Sequence, residues 1–288
     1  MTTPLEGLLQ QLQLERIEDT IFRGPSQDLG FGAVFGGQVI GQALSAAEQT
    51  VVEDRSVHSL HCYFLRPGDV SRDIVYEVER IRDGRSFTTR RVRAIQHGDA
   101  IFFMAASFHH LEEGLEHADI MPVVPEPQTL ESETDIARRN LDLIPEVMRA
   151  TFTGDKPIEI RPVQHIDPRD PQPMAPQRRV WIRTNGTLPD DPRVHRYLLA
   201  YASDFNFLIT ALQPHGRTFW QRGQKLASLD HGMWFHRPFR FDDWLLYSVD
   251  SPSASGARAL VRGQLFSRDG RLVASTIQEG LIRVRRDG

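Results

Sequence analysis

Tyr63-Phe64-Leu65-Arg66-Pro67 ends a run of β-branched and aromatic residues, and Trp234-Phe235-His236-Arg237-Pro238 repeats its pattern 171 residues later. A second pair of anchors, His97-Gly98-Asp99 and Asp269-Gly270-Arg271, stands 172 residues apart. Nearly equal offsets predict two copies of one module. Around the first anchor, residues 57–65, 74–81, 86–95 and 100–108 read as strands. Arg66-Pro67-Gly68-Asp69, Arg82-Asp83-Gly84 and His97-Gly98-Asp99 punctuate them as turns. A helix precedes them. It opens at Phe35-Gly36-Gly37-Gln38 and runs through Val39, Ile40, Ala43, Leu44 and Ala47, with Gly41 and Ala46 small enough for close packing on a sheet. Around the second anchor the order recurs: a long helical pattern over 191–212, then strands at 225–235, 244–250, 257–267 and Leu272–Val284. The reading is α+β, a helix followed by an antiparallel sheet, twice.

The flanks complete the plan. Leu5, Leu8, Leu9 and Leu12 recur at helical spacing and Ile17 follows, which predicts an N-terminal helix ending near Asp19. Ten of the 18 prolines lie between Pro122 and Pro176, so that region reads as a connector with some helical character over 130–150. The expected division is a first module at 1–112, a connector at 113–177 and a second module at 178–288.

Composition bounds the function. At 288 residues, with 40% hydrophobic and 25% charged residues, the chain is an ordinary globular protein of about two domains. A net charge of −4 offers no global attraction for nucleic acid or anionic membrane. Cys62 is the single cysteine, which suits a reducing compartment. The first residues lack a basic segment followed by an apolar core, and no apolar run reaches the ~18–20 residues of a membrane span. The expectation is a cytoplasmic protein with neither nucleic-acid nor membrane partners.

A helix wrapped by a long antiparallel sheet is the hotdog layout, and here the residues resemble a known family. Val34-Phe35-Gly36-Gly37-Gln38-Val39, the segment His58 to Pro67, Val180-Trp181-Ile182-Arg183 and Tyr201-Ala202-Ser203-Asp204 lie along the chain, followed by Asp230-His231-Gly232-Met233-Trp234-Phe235-His236-Arg237-Pro238 and Ala274-Ser275-Thr276-Ile277-Gln278-Glu279-Gly280. Together they are similar to the acyl-CoA thioesterase II family, whose members carry two hotdog modules in one chain. The resemblance covers essentially the whole length. It implies an acyl-CoA hydrolase with no cofactor and no metal, assembled as a homo-oligomer, a dimer or tetramer. Position by position, it implies that Asp204, Ser228 and Gln278 hold a water against the thioester. The family commonly has threonine where this chain has Ser228, which keeps the oxygen and loses a methyl.

The residues themselves are compatible with that role. Asp204 stands in an apolar stretch, Leu198 to Leu208, where a carboxylate is either a base or the cap of a helix restarting at Phe205. Gln278 shares strand parity with Leu272, Ala274, Thr276 and Ile282, and Ser228 with Leu226 and Trp234, so both are expected to face inward. Ser228, Asp230 and His231 look like a hydrolytic triad, but on one strand His231 would face away from the other two. No Gly-x-Ser-x-Gly elbow and no His-Glu-x-x-His occurs. Cys62, in parity with Leu60 and Phe64, reads as a small core residue. His58 lies in a family-like string and is a lesser candidate for substrate binding. Arg91 and Arg93 share one strand face and could meet the CoA phosphates, with Arg90 on the other face. Two other functions suit the fold. One is an enoyl-CoA hydratase or dehydratase, disfavoured because Asp204-Phe205-Asn206-Phe207-Leu208-Ile209 lacks the Pro and His of such sites. The other is a non-catalytic acyl-CoA-binding module.

Overall fold

Thr3 opens the first helix, α1 (Pro4–Leu12). Its hydroxyl accepts the Glu6 N–H at 3.2 Å, and the Glu6 carboxylate accepts the Thr3 N–H at 2.7 Å. The computed structural model describes residues 2–284 apart from 165, 206, 220 and 222. α1 stops at Leu12 rather than near Asp19. Gln13 is extended, and Glu15–Glu18 (β1) pairs with Ile21–Gly24 (β2) as a hairpin. Ile17 is 47% exposed, so it was never part of the leucine stripe that buries α1.

The second helix, α2 (Gly36–Glu48), is buried at every position from Gly37 onward. It has no solvent face because the sheet wraps it. Val39, Ile40 and Leu44 are 4% exposed or less, and each such side chain stabilises the fold by about 1.5–3 kcal/mol. Four strands follow: β3 (Ser56–Phe64), β4 (Ile74–Asp83), β5 (Phe87–Gln96) and β6 (Asp99–His109). Arg90 of β5 is buried. It donates to Thr50 Oγ1 at 2.8 Å and Thr50 O at 2.9 Å, tying the chain just beyond α2 to the β4–β5 hairpin.

The connector holds α3 (Glu133–Arg139), α4 (Glu146–Thr153) and a strand the pattern did not reveal, β7 (Ile158–Pro162). It is five residues long and lies between prolines, which leaves only Ile158 and Ile160 to signal it. β8 (Gln177–Thr184) pairs with it. The helical pattern over 191–212 is two elements. α5 (Pro192–Ala202) ends at Ser203, and a 3-10 segment, Leu208–His215, follows with Pro214 inside it. The predicted strand 225–235 is likewise two: β9 (Gln224–Ser228) and β10 (Asp230–Phe235). Both pair with the last strand, but Ser228 stands opposite Gly280 while Gly232 stands opposite Ile277. The register shifts by one residue across Leu229, as at a β-bulge. β11 (Leu245–Ser255), β12 (Arg258–Ser267) and β13 (Leu272–Val284) complete the chain.

All these strands form one antiparallel sheet, in the order β1-β2-β4-β5-β6-β3-β10-β13-β12-β11-β8-β7, with β9 also on β13. From the β3–β10 junction the two directions are equivalent: β6, β5, β4 on one side answer β13, β12, β11 on the other. The anchors that revealed the repeat end these central strands, and Gly98 and Gly270 both take the left-handed conformation their turns require. This is the expected double hotdog. The two helices meet inside it. A Cβ on Gly37 would lie 2.1 Å from the carbonyl oxygen of Tyr201, so only glycine permits this approach of α2 to α5.

Candidate active site

The break after α5 is where the chemistry collects. Ser203 ends the helix with its hydroxyl directed back to Ala200 O at 2.8 Å, and the next residue, Asp204, projects from the break. Asp204 does not cap the segment that follows, which has no side-chain cap. Its carboxylate instead reaches the other half of the protein. The first residue before α2, Phe35, supplies no side-chain cap of its own. Asp204 interacts with the Gly37 backbone N–H there, and a Cβ on Gly36 would lie 2.6 Å from Asp204 Oδ2. A carboxylate 167 residues away thus sits at the positive end of α2.

Ser228 and Gln278 join it. Ser228 Oγ donates to Asp204 Oδ1 at 3.2 Å, and Gln278 Nε2 donates to Ser228 Oγ at 2.8 Å. Gln278 faces inward, as its strand parity predicts, and is 1% exposed. Asp204 and Ser228 retain some accessible surface. The buried amide thus lies behind the two less enclosed residues of the arrangement. Burial pushes the Asp204 carboxyl up to about 6, against the opposing pull of Gln278, Ser228 and the Gly37 N–H.

The bulge at Leu229 corrects one expectation. Parity on a single unbroken strand would point His231 away from Ser228. With the extra residue, His231 lies on the buried side, with its Nδ1 2.6 Å from Gln278 Oε1 and its Nε2 3.0 Å from Ser203 Oγ. Its ring nitrogens meet Gln278 and Ser203 and not Ser228 or Asp230, so Ser228, Asp230 and His231 form no Ser-His-Asp relay. Asp230 accepts the Glu279 backbone N–H at 2.6 Å. Cys62 is buried and directs its thiol to His231 O at 3.3 Å, as a core residue.

The proposed substrate-binding residues are elsewhere. His58 Nε2 lies 2.8 Å from Ser107 Oγ, beside Phe87 and His109, and it does not join the Asp204 network. Arg93 pairs with Glu77 at 2.5 Å and Arg91 pairs with Glu79. Both arginines are half exposed, on the strand face opposite Val92 and Ala94; Arg90 lies on the other face, as the alternation predicts, and is buried there. The structure does not bring Arg91 or Arg93 to the carboxylate. Gly37, Ser203 and His231 are the site residues that sequence reasoning missed. Gly36-Gly37 is legible as the opening of a helix, but its role beside Asp204 arises only across the two halves.

A family model described as acyl-CoA thioesterase matches residues 147–281, and one described as acyl-CoA thioesterase N-terminal domain matches residues 24–109. Acyl-CoA thioesterase 2 of Haemophilus influenzae is 46% identical over 98% of this chain and 99% of its own. Human acyl-coenzyme A thioesterase 8 is 43% identical over 95% of this chain and 88% of its own. The crystal structure of an acyl-CoA thioesterase II from Mycobacterium marinum superposes with a TM-score of 0.80 at 41% identity, covering 98% of this chain and all of that one. The chain belongs to the acyl-CoA thioesterase II family of hydrolases.

Proposed function

We propose that this protein hydrolyses fatty acyl-CoA thioesters to free fatty acid and CoA by direct attack of a water held by Asp204, Ser228 and Gln278. The observation that carries the reading is the contact of Asp204 with Ser228 and Gln278 beside the start of α2. Ionised Asp204 takes a proton from the water as its oxygen adds to the thioester carbonyl. Ser228 and the Gln278 amide fix the water's position. The positive end of α2 favours the negative charge that develops on the carbonyl oxygen. Collapse of the tetrahedral intermediate breaks the C–S bond and expels CoA as thiolate. Asp204 then returns its proton to the thiolate or to solvent.

The pH dependence follows from Asp204. Protonated Asp204 is no base, so kcat/KM for palmitoyl-CoA should be level above a midpoint near pH 6 and fall about tenfold per unit below it. Of the titratable groups near it, Asp230, which burial also raises, is engaged with the Glu279 N–H, and three others stay neutral across this range. Burial lowers His231 to about 4 and holds Cys62 and Tyr247 well above their usual values. Thiol titration of released CoA measures the profile; a flat profile down to pH 5 contradicts the assignment.

The module division at 1–112, 113–177 and 178–288 belongs to the same proposal, with one adjustment: β7 of the connector extends the sheet beside β8. We place the protein in the cytoplasm, which the lone, buried Cys62 suits. Among the described residues no helix is long and apolar enough to cross a membrane. Assembly into dimers or tetramers is supported by an aromatic pair on the outer face, where Tyr63 is 52% exposed and stacks on Phe103.

A further inference from the structure

We propose that His231, held by Ser203, is a positioning residue that sets which way round the Gln278 amide sits. A glutamine amide has nearly the same shape in its two flipped orientations, but its two ends do opposite things. With Nε2 toward Ser228, the amide donates toward the carboxylate and its water. With Oε1 there instead, a carbonyl oxygen would face an ionised carboxylate, and the water would lose a donor. Local packing does not decide between these. A hydrogen-bond partner at the other end does.

That partner is His231 Nδ1, 2.6 Å from Gln278 Oε1, with both side chains 1% exposed. An amide oxygen only accepts, so Nδ1 must carry the proton. The ring is neutral, because burial lowers its pKa to about 4. A neutral ring protonated at Nδ1 has an unprotonated Nε2, which needs a donor. Ser203 Oγ stands 3.0 Å from it. The same hydroxyl lies 2.8 Å from Ala200 O, and a single proton cannot serve both. When Ser203 donates to Nε2, every hydrogen bond in the series points one way: Ser203 to His231, His231 to Gln278, Gln278 to Ser228, Ser228 to Asp204. The series ends on the carboxylate and stabilises its ionised form. When Asp204 is protonated, the same atoms can reverse: Asp204 donates to Ser228, the amide turns over, and the ring carries its proton on Nε2, toward a Ser203 that donates to Ala200. His231 thus links the tautomer of a buried ring to the protonation state of the proposed base.

The inference rests on the water-holding role of Gln278, and the test separates the two. His231→Leu removes the donor and leaves Gln278 Oε1 buried without a partner. It should lower kcat by about 10- to 100-fold with KM for palmitoyl-CoA nearly unchanged. The acid limb of the pH profile should move to higher pH, because Asp204 loses a steady donor. His231→Asn places an amide N–H near the position of Nδ1 and should recover most of the rate and the wild-type midpoint. A purely structural role would move neither the midpoint nor the Leu-to-Asn difference. Wild-type kcat and midpoint in a folded Leu variant, or no recovery with Asn at equal thermal stability, overturns the proposal. If His231→Leu does not fold, Ser203→Ala decides: a several-fold loss of kcat with the same shift supports it, and an unchanged profile overturns it. Gln278→Ala is run alongside. If it too retains full activity, the water-holding reading fails, whereas its loss beside an active His231→Leu removes only the role of His231.

Discussion

Asp204→Asn is expected to lower kcat for palmitoyl-CoA about a thousandfold without weakening the fold. Asparagine keeps the size of the side chain and an oxygen for the Gly37 N–H, but it cannot accept a proton from water. The stability half of the prediction follows from the sign of the pKa shift. The Asp204 carboxyl is raised from an ordinary 3.8 to about 6 in the folded protein, so folding disfavours its ionised form. That cost is absent below about pH 3.8, grows between the two values and is complete above about 6. It is at most about 3 kcal/mol, less whatever solvent reaching the carboxylate restores. Removing the charge relieves it, so the variant's melting temperature at pH 7.5 should match or exceed that of the wild type. A variant that is inactive and also less stable would reduce Asp204 to the cap of α2. A rate within tenfold of wild type would remove it from the chemistry.

Gly37→Ala should strongly destabilise the protein. Its Cβ would lie 2.1 Å from Tyr201 O and 2.4 Å from Phe35 Cε1. The first contact is backbone and cannot turn aside, so α2 and α5 must separate. Overpacking of this kind costs about 3 kcal/mol, net of the gain of up to ~1 kcal/mol that alanine brings to a helix. The melting temperature should fall by roughly 6–12 °C. Separation also carries the Gly37 N–H away from Asp204, so kcat should fall with stability. Gly41→Ala is the control on the same helix face. Its Cβ meets Leu12 Cδ2 at 3.0 Å and Tyr197 O at 3.1 Å, contacts that a small shift relieves. It should leave stability and rate close to wild type. Equal behaviour of the two variants in thermal melts and CoA-release assays would contradict the close-approach account.

The sequence carried the architecture well, because a repeat makes each half evidence for the other. The central strands β3 and β10 announce themselves through matching ends at Pro67 and Pro238, and their pairing joins the halves. The salt bridges that occupy Arg91 and Arg93 were also within reach. Glu77 and Glu79 alternate on β4, and the turn at Gly84 sets them opposite Arg93 and Arg91. What could not be read were features that one half imposes on the other. The cap that Asp204 provides lies across 167 residues and depends on the α2–α5 contact. The bulge at Leu229 has no side-chain signature. It follows from β9 and β10 sharing β13 out of register, yet it alone turns His231 from a residue facing outward into a partner of Gln278.

The central claim is that water, and not the protein, attacks the thioester. A single turnover in H218O, with enzyme in excess over palmitoyl-CoA, tests it most directly. Direct attack predicts one 18O in the first-turnover palmitate and none in the Asp204 peptide. Unlabelled palmitate, with 18O recovered in the Asp204 carboxylate, would instead mean that Asp204 forms a covalent anhydride with the acyl group, and would contradict the account.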